Sequence, residues 1–216
     1  PNCMDTVRNG DETDVDCGGA RCSPCDTGKL CRIAADCKTG LCLNLVCSMP
    51  QMAKLSFGPP ASFAAGTLPG HVVAGDINGD GKVDLVVANQ GTYGKVSDVS
   101  VLIGKGDGTF NAQARYPAGF SPARVLAIDV NGDQRDDVAV ANTGAGNIPG
   151  GLSVLLAGAQ GVLGNAANTQ LGGSPGLVVG GDFNRDGKKD LLVAESSPGK
   201  AGNADVFLGL GNGAFP

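Results

Sequence analysis

Tryptophan is absent from the 216-residue chain, histidine occurs once, at His71, and aromatic residues make up only 4%. Few flat faces therefore exist on which bases or sugar rings could stack. A Ser/His/Asp set or a histidine-rich metal site would have one imidazole to draw on, so no catalytic residues are assigned and no enzymatic activity is expected. Lys and Arg number 16 against 21 Asp and Glu, a formal net charge of −5, and no basic run occurs. The electrostatic footprint of a nucleic-acid or anionic-lipid binder is thus missing. No apolar run approaches the roughly 18–20 residues that span a bilayer, so no membrane insertion is expected. The chain opens at Pro1 without a charged segment and apolar signal core, as a mature or truncated chain would.

Glycine, by contrast, fills 36 positions, one in six, against a usual share of about 7%. No Gly-X-Y period accompanies it, which excludes collagen. Hydrophobic residues reach 42% and cluster as Val/Leu/Ile runs, enough to fold a chain rich in turns.

All eight cysteines fall in the first 47 residues: Cys3, Cys17, Cys22, Cys25, Cys31, Cys37, Cys42 and Cys47. With little Val, Ile or Leu between them, residues 1–48 are too small to bury a core and are expected to be stapled by disulfides. Their pairing is open, since eight cysteines allow 105 connectivities. Such a module belongs outside a reducing cytosol, in a secreted or surface protein. Zinc is the rival reading, on the CxxC of Cys22 and Cys25, but a matching Cys or His pair is lacking. The acidic stretch Asp11 to Asp16 could hold a cation or be a solvated turn. The run NGDETDVDCGG, the CxxC and the ladder Cys37, Cys42, Cys47 resemble a cysteine-rich module of secreted and surface proteins of myxobacteria and related bacteria. Residues 49–56, without cysteine or repeat, read as a linker.

Beyond the linker the sequence repeats. HVVAGDINGDGKVDLVVAN (71–89), RVLAIDVNGDQRDDVAVAN (124–142) and LVVGGDFNRDGKKDLLVAE (177–195) align without gaps, and Asp76, Asp129 and Asp182 are spaced by 53 residues. Three repeats follow, 57–109, 110–162 and 163–214. In each, two short strands flank an Asp/Asn/Gly loop. A third strand is expected at Val99–Ile103, Leu152–Leu156 and Asp205–Leu208, and a weaker fourth at Phe57–Ala65, Phe110–Ala118 and Leu163–Leu171. The predicted fold is all-β, built from four-stranded antiparallel sheets of the propeller-blade kind behind a small disulfide-rich domain.

The loops carry the chemistry. Asp76, Asn78, Asp80 and Asp84 place oxygen side chains at positions 1, 3, 5 and 9, with Gly81 at position 6 and the carbonyl of Lys82 at position 7. This is how a hard cation is surrounded. The third loop repeats the set with Asp182, Asn184, Asp186, Lys188 and Asp190. The second has Asp129, Asn131, Asp133, Arg135 and Asp137, but Gln134 stands at position 6 and is expected to strain the turn and weaken that site. An EF-hand would need a bidentate Glu at position 12, where Val87, Val140 and Val193 stand. Asp, Asn and Gly also make good turns unaided. Three carboxylates within nine residues, three times over, repel unless a cation compensates them. A flexible oxygen-rich loop suits Ca2+ better than Mg2+, so about three calcium sites are expected.

Phe57-Gly58-Pro59-Pro60, then GDINGDGKVDLVVAN and VSVLIGKGDGTF, resemble the FG-GAP/VCBS repeat of integrin-like β-propellers over about residues 57–215. That resemblance implies calcium on the loop carboxylates. The family's roles run from adhesion and ligand binding to accessory domains of secreted enzymes. Closed propellers usually need four to eight blades, and three are present. In the family's phase the first strand of each repeat completes the preceding sheet, which leaves a spare strand at one end and an unfilled edge at the other. Strand exchange between copies would give a ring or a filament; further repeats in a longer chain would close it instead. The leading expectation is an extracellular, calcium-binding structural or adhesive protein that self-associates. The alternative is a module that binds a glycan or a protein.

Overall fold

Strand-forming Val, Leu and Ala runs on either side of each Asp-rich loop, with Gly-rich turns between, leave little but antiparallel hairpins available to residues 61–216. The computed structural model describes residues 17–18, 23–49, 57–197, 199 and 201–216. Cys3, Cys22, the acidic stretch Asp11 to Asp16 and nearly all of the expected linker lie outside the described residues. The described part has two compact units, residues 1–60 and 61–216.

In the first unit a two-stranded ribbon, β1 (Cys42–Leu43) and β2 (Val46–Cys47), turns through Asn44 and Leu45, both with positive φ. Disulfides join Cys17 to Cys25, Cys31 to Cys42 and Cys37 to Cys47. The sulfurs of Cys31, Cys37 and Cys47 lie within 4.8 Å of one another, but all three are oxidised, and Cys25 is bonded to Cys17. No free cysteine exists among the described residues, which removes the thiolates a zinc site would need. Each bridge closes a loop of about ten residues, worth roughly 2–3 kcal/mol in the chain-entropy account. Cys25, Cys31, Cys37 and Cys47 are themselves the buried core.

The second unit stacks three sheets. The first orders β3 (Pro69–Gly75), β4 (Asp84–Asn89), β5 (Val96–Leu102) and β6 (Ala114–Phe120). The second orders β7 (Pro122–Ile128), β8 (Asp137–Asn142), β9 (Gly151–Leu155) and β10 (Ala167–Gln170). The third has β11 (Ser174–Gly181), β12 (Asp190–Ser196) and β13 (Asn203–Phe207), with no fourth strand among the described residues. All pairings are antiparallel. As the repeat phase implies, β6 and β10 come from the repeat that follows their own sheet. The one-residue deletion in the third repeat shows in the register: Val138 faces Leu155, whereas Leu191 faces Phe207.

One expected strand did not form. Residues 57–65 pair with nothing in a ladder and are largely exposed, although Phe63 packs edge-on against Phe110 at 5.2 Å. The physical reason is the phase itself: the strand this segment would pair with belongs to a preceding sheet, and none is present among the described residues.

Period-2 alternation explains the stack. Every residue of β8 is buried; Val138 and Val140 join the apolar cluster shared with the first sheet, and Ala139 and Ala141 join the one shared with the third. Each fully buried valine contributes about 1.5–3 kcal/mol. The outer sheets show the same two faces uncovered. Val125 is 3% exposed and its repeat counterpart Val72 is 54% exposed; Val130 is 2% exposed and its counterpart Phe183 is 47% exposed.

A side chain also ties the first two sheets. His71 Nδ1, on β3, accepts the backbone N–H of Val125, on β7, at 3.3 Å. Only neutral imidazole offers that acceptor. Burial, then the Arg124 charge, lowers the His71 pKa below its ordinary 6.5. A depressed folded-state pKa stabilises above the unfolded value, and that stabilisation is lost as pH falls through about 6.5 toward the folded value. His71→Gln should therefore flatten the loss of melting temperature between pH 7.5 and 5.5; equal slopes in variant and parent would show that the contact carries no linkage.

Candidate metal centres

Each Asp-rich loop is wound around its own side-chain oxygens. In the first, Asp76 Oδ1 accepts the N–H groups of Gly79 (2.8 Å) and Asp80 (3.1 Å), and Asp76 Oδ2 that of Gly81 (2.8 Å). Asn78 Oδ1 accepts Asp80 N–H at 2.9 Å, and Asp80 Oδ1 accepts Lys82 N–H at 2.9 Å. The second loop repeats this: Asp129 takes Gly132, Asp133 and Gln134, Asn131 takes Asp133, and Asp133 takes Arg135. In the third, Asp182 takes Asp186 and Gly187, Asn184 takes Asp186, and Asp186 takes Lys188. Turning the N–H groups of positions 5–7 inward gathers the oxygens of positions 1, 3 and 5 on one concave side.

Position 9 behaves differently from these. Asp84, Asp137 and Asp190 are fully buried. Oδ2 of each accepts the N–H of position 2, Ile77, Val130 or Phe183, at 2.9–3.0 Å. Oδ1 accepts an N–H just beyond the third strand, Gly104, Ala157 or Gly209, at 2.7–2.8 Å. One carboxylate thus pins the loop's start to the turn after the next strand. Sequence reading placed these three with the ligands; the structure gives them a fold-holding role as well, and leaves each oxygen one lone pair free of these bonds.

The electrostatics divide along the same line. Burial pushes the Asp84 carboxyl up, against the opposing N–H bonds from Gly104 and Ile77, and the Asp80 charge adds to the rise. Burial raises Asp137 too, with Asp133 and Asp129 contributing. The exposed carboxyls go the other way: the Lys82 N–H lowers Asp80, and the Lys188 N–H lowers Asp186. For Asp129 burial is the largest single influence and raises it, but four backbone N–H groups together outweigh that. The position 7 side chains lie over position 5: Lys82 Nζ is 3.2 Å from Asp80, Arg135 Nη2 2.6 Å from Asp133 and Lys188 Nζ 3.8 Å from Asp186. Each loop keeps its outer carboxylates ionised and near a positive charge.

Two residues escaped the sequence reading. Asp136, at position 8 of the second loop, accepts Asp76 N–H on Oδ2 at 2.9 Å and donates its own N–H to Asp76 O at 2.8 Å. It docks the second loop against the first, a link Val83 and Lys189 at the same position cannot make. Its only signal was an extra carboxylate beside Asp137. The other is Arg185. Position 6 has positive φ in all three loops, Gly81 (78°), Gln134 (67°) and Gly187 (84°), as the strain argument for Gln134 requires. Position 4 is also left-handed: Gly79 (74°), Gly132 (79°) and Arg185 (63°). The first loop alone has glycine at both.

The family model described as FG-GAP-like repeat matches residues 76–140 and 129–193, each span running from the start of one loop through the next, and together more than half of the chain. The chain belongs to the FG-GAP-like repeat family. No curated protein matches it.

Left-handed backbone at a side chain bearing a Cβ costs on the order of 1 kcal/mol. Gln134→Gly and Arg185→Gly should each raise stability by about that amount and tighten the cation binding of their own loops, leaving the first loop unchanged. Calorimetric titration checks this, and no gain from either substitution would contradict the assigned strain.

Proposed function

We propose that the chain is an extracellular structural or adhesive module whose sheets are stiffened by Ca2+ at the hairpin loops, without catalytic activity of its own. The observation that carries the reading is the threefold recurrence of one loop geometry. Asp76, Asn78, Asp80 and the Lys82 carbonyl, with Asp84 behind them, form an all-oxygen donor set, and the corresponding residues of the second and third loops do the same. That chemistry suits a hard cation. The ion's part would be to neutralise carboxylates that otherwise repel. Disulfides in the first unit and FG-GAP repeats in the second are typical of extracellular proteins.

The reading extends to self-association. The face that β8 turns toward the third sheet is matched on the third sheet by the exposed Leu177, Val179, Phe183 and Val206, and the face it turns toward the first sheet by the exposed Val72. Two faces that fit each other within the chain are thus open at opposite ends of the stack, together with the unpaired edge of β13. A head-to-tail contact between copies would cover them, and it is heterologous, so it closes into a propeller-like ring or continues as a filament. Residues 57–65, free of any ladder, are the strand available for β13 to pair with.

Calcium at a hundredfold excess over Kd stabilises by about 2.7 kcal/mol per site. Chelation should lower the melting temperature appreciably, and electron microscopy in calcium should show rings or fibres that vanish on deletion of residues 1–65. An unchanged melt after verified metal removal would overturn the calcium reading; a folded monomer in calcium would overturn self-association.

A further inference from the structure

A cleft of about 530 Å³ opens between the first and second sheets, walled by β6 on one side and by β9 and β10 on the other. At its back sits Asn142, the last residue of β8, at the end of that strand away from the acidic loop. Asn142 is 4% exposed, and its Oδ1 is the one buried side-chain oxygen or nitrogen among the described residues without a hydrogen-bond partner. Its Nδ2 donates to Ser153 Oγ at 2.7 Å, which fixes the carboxamide.

The repeats show what this position does elsewhere. Asn89, its counterpart in the first repeat, accepts the backbone N–H of Gly66 at 3.0 Å. Glu195, its counterpart in the third, accepts that of Gly173 at 2.9 Å. In the second repeat the glycine corresponding to Gly66 is Gly119, which β6 holds in its ladder opposite Ser97. Its N–H does not reach Asn142. Strand pairing in the first sheet has drawn away the chain's own donor and left a buried acceptor facing a cavity, an arrangement that costs stability unless a partner arrives.

We infer that this cleft is a binding site for a small uncharged saccharide, one of whose hydroxyl groups pairs with Asn142. No charged side chain lines the cleft, which selects against ions in a protein with 37 charged residues (16 basic and 21 acidic). The walls instead carry side-chain amides and hydroxyls, Asn165, Asn168, Gln170, Ser153 and Thr169, groups that donate and accept as sugar hydroxyls do. A hydroxyl pairs with whichever atom of the Asn142 carboxamide faces it. Tyr116 and Phe120 on β6 supply apolar surface for the C–H faces of a ring. The volume suits one or two sugar units, within the usual range of ligand clefts. The site lies away from the calcium loops and goes beyond the proposed structural function, so it stands or falls separately.

The test is a nuclear magnetic resonance titration of the full chain in calcium, following the side-chain amide signals of Asn142 and Asn168. The probes are glucose, galactose, mannose, cellobiose and lactose, with the capped tripeptide N-acetyl-alanyl-leucyl-glycinamide as the contrasting arm. At least one sugar should shift both signals saturably. Asn142→Leu should weaken that sugar roughly tenfold, the loss of one hydrogen bond, and Asn165→Trp, a surface change that narrows the cleft without touching Asn142, should abolish binding with an unaltered melt. Persistence of the shifts after chelation, provided the fold survives it, separates this site from the loops. No shift from any of the sugars, shifts confined to the acidic loops, or saturation by the peptide alone would overturn the inference.

Discussion

A buried aspartate with both oxygens engaged by backbone N–H groups is the contact on which the repeat depends. Asp84, Asp137 and Asp190 each join the start of a hairpin loop to the turn beyond the third strand, so two segments roughly 20–27 residues apart are held by one side chain. Leaving a buried amide unpaired costs about 1–3 kcal/mol, and each of these carboxylates answers for two. Their ionised form is stabilised by those bonds and penalised by burial. The same residue therefore supports the loop and lends negative potential to the outer carboxylates. Loop winding, strand spacing and the concave oxygen set all follow from it.

The second constraint is that the sheets are not closed units. β8 is buried on both faces because alternate residues serve different neighbours, and a strand built that way has meaning only inside a stack. The first and third sheets keep the same pattern with one face uncovered each. Structure and proposed assembly are thus two consequences of one alternation, repeated every 53 residues.

Much of this was legible in the residues. Three gapless repeats, the loop donors and the displacement of the fourth strand into the next repeat are all visible as spacing, because spacing is what the ladder and the loop turn demand. Residues 57–65 looked like a strand by comparison with 110–118, yet a strand exists only where an edge receives it, and that is not a property of the segment. Arg185 stood in plain view at position 4, but its backbone strain becomes apparent only when φ is known. Asp136 and Asn142 could not be singled out at all. The role of the first depends on how two loops meet, and that of the second on which donor β6 withholds, and both are set by packing between sheets rather than by pattern along the chain.

The central claim is that the buried carboxylates build the loops in advance and the exposed ones receive the cation. Amide hydrogen exchange measured residue by residue, with and without chelator, tests it most directly. The account predicts that the N–H groups of Val130 and Ala157, held by Asp137, stay protected when calcium is removed, while those of residues 131–135 exchange faster. Loss of protection at Val130 and Ala157 in step with the loop would contradict it, because the cation and not the aspartate would then be what holds the hairpin together.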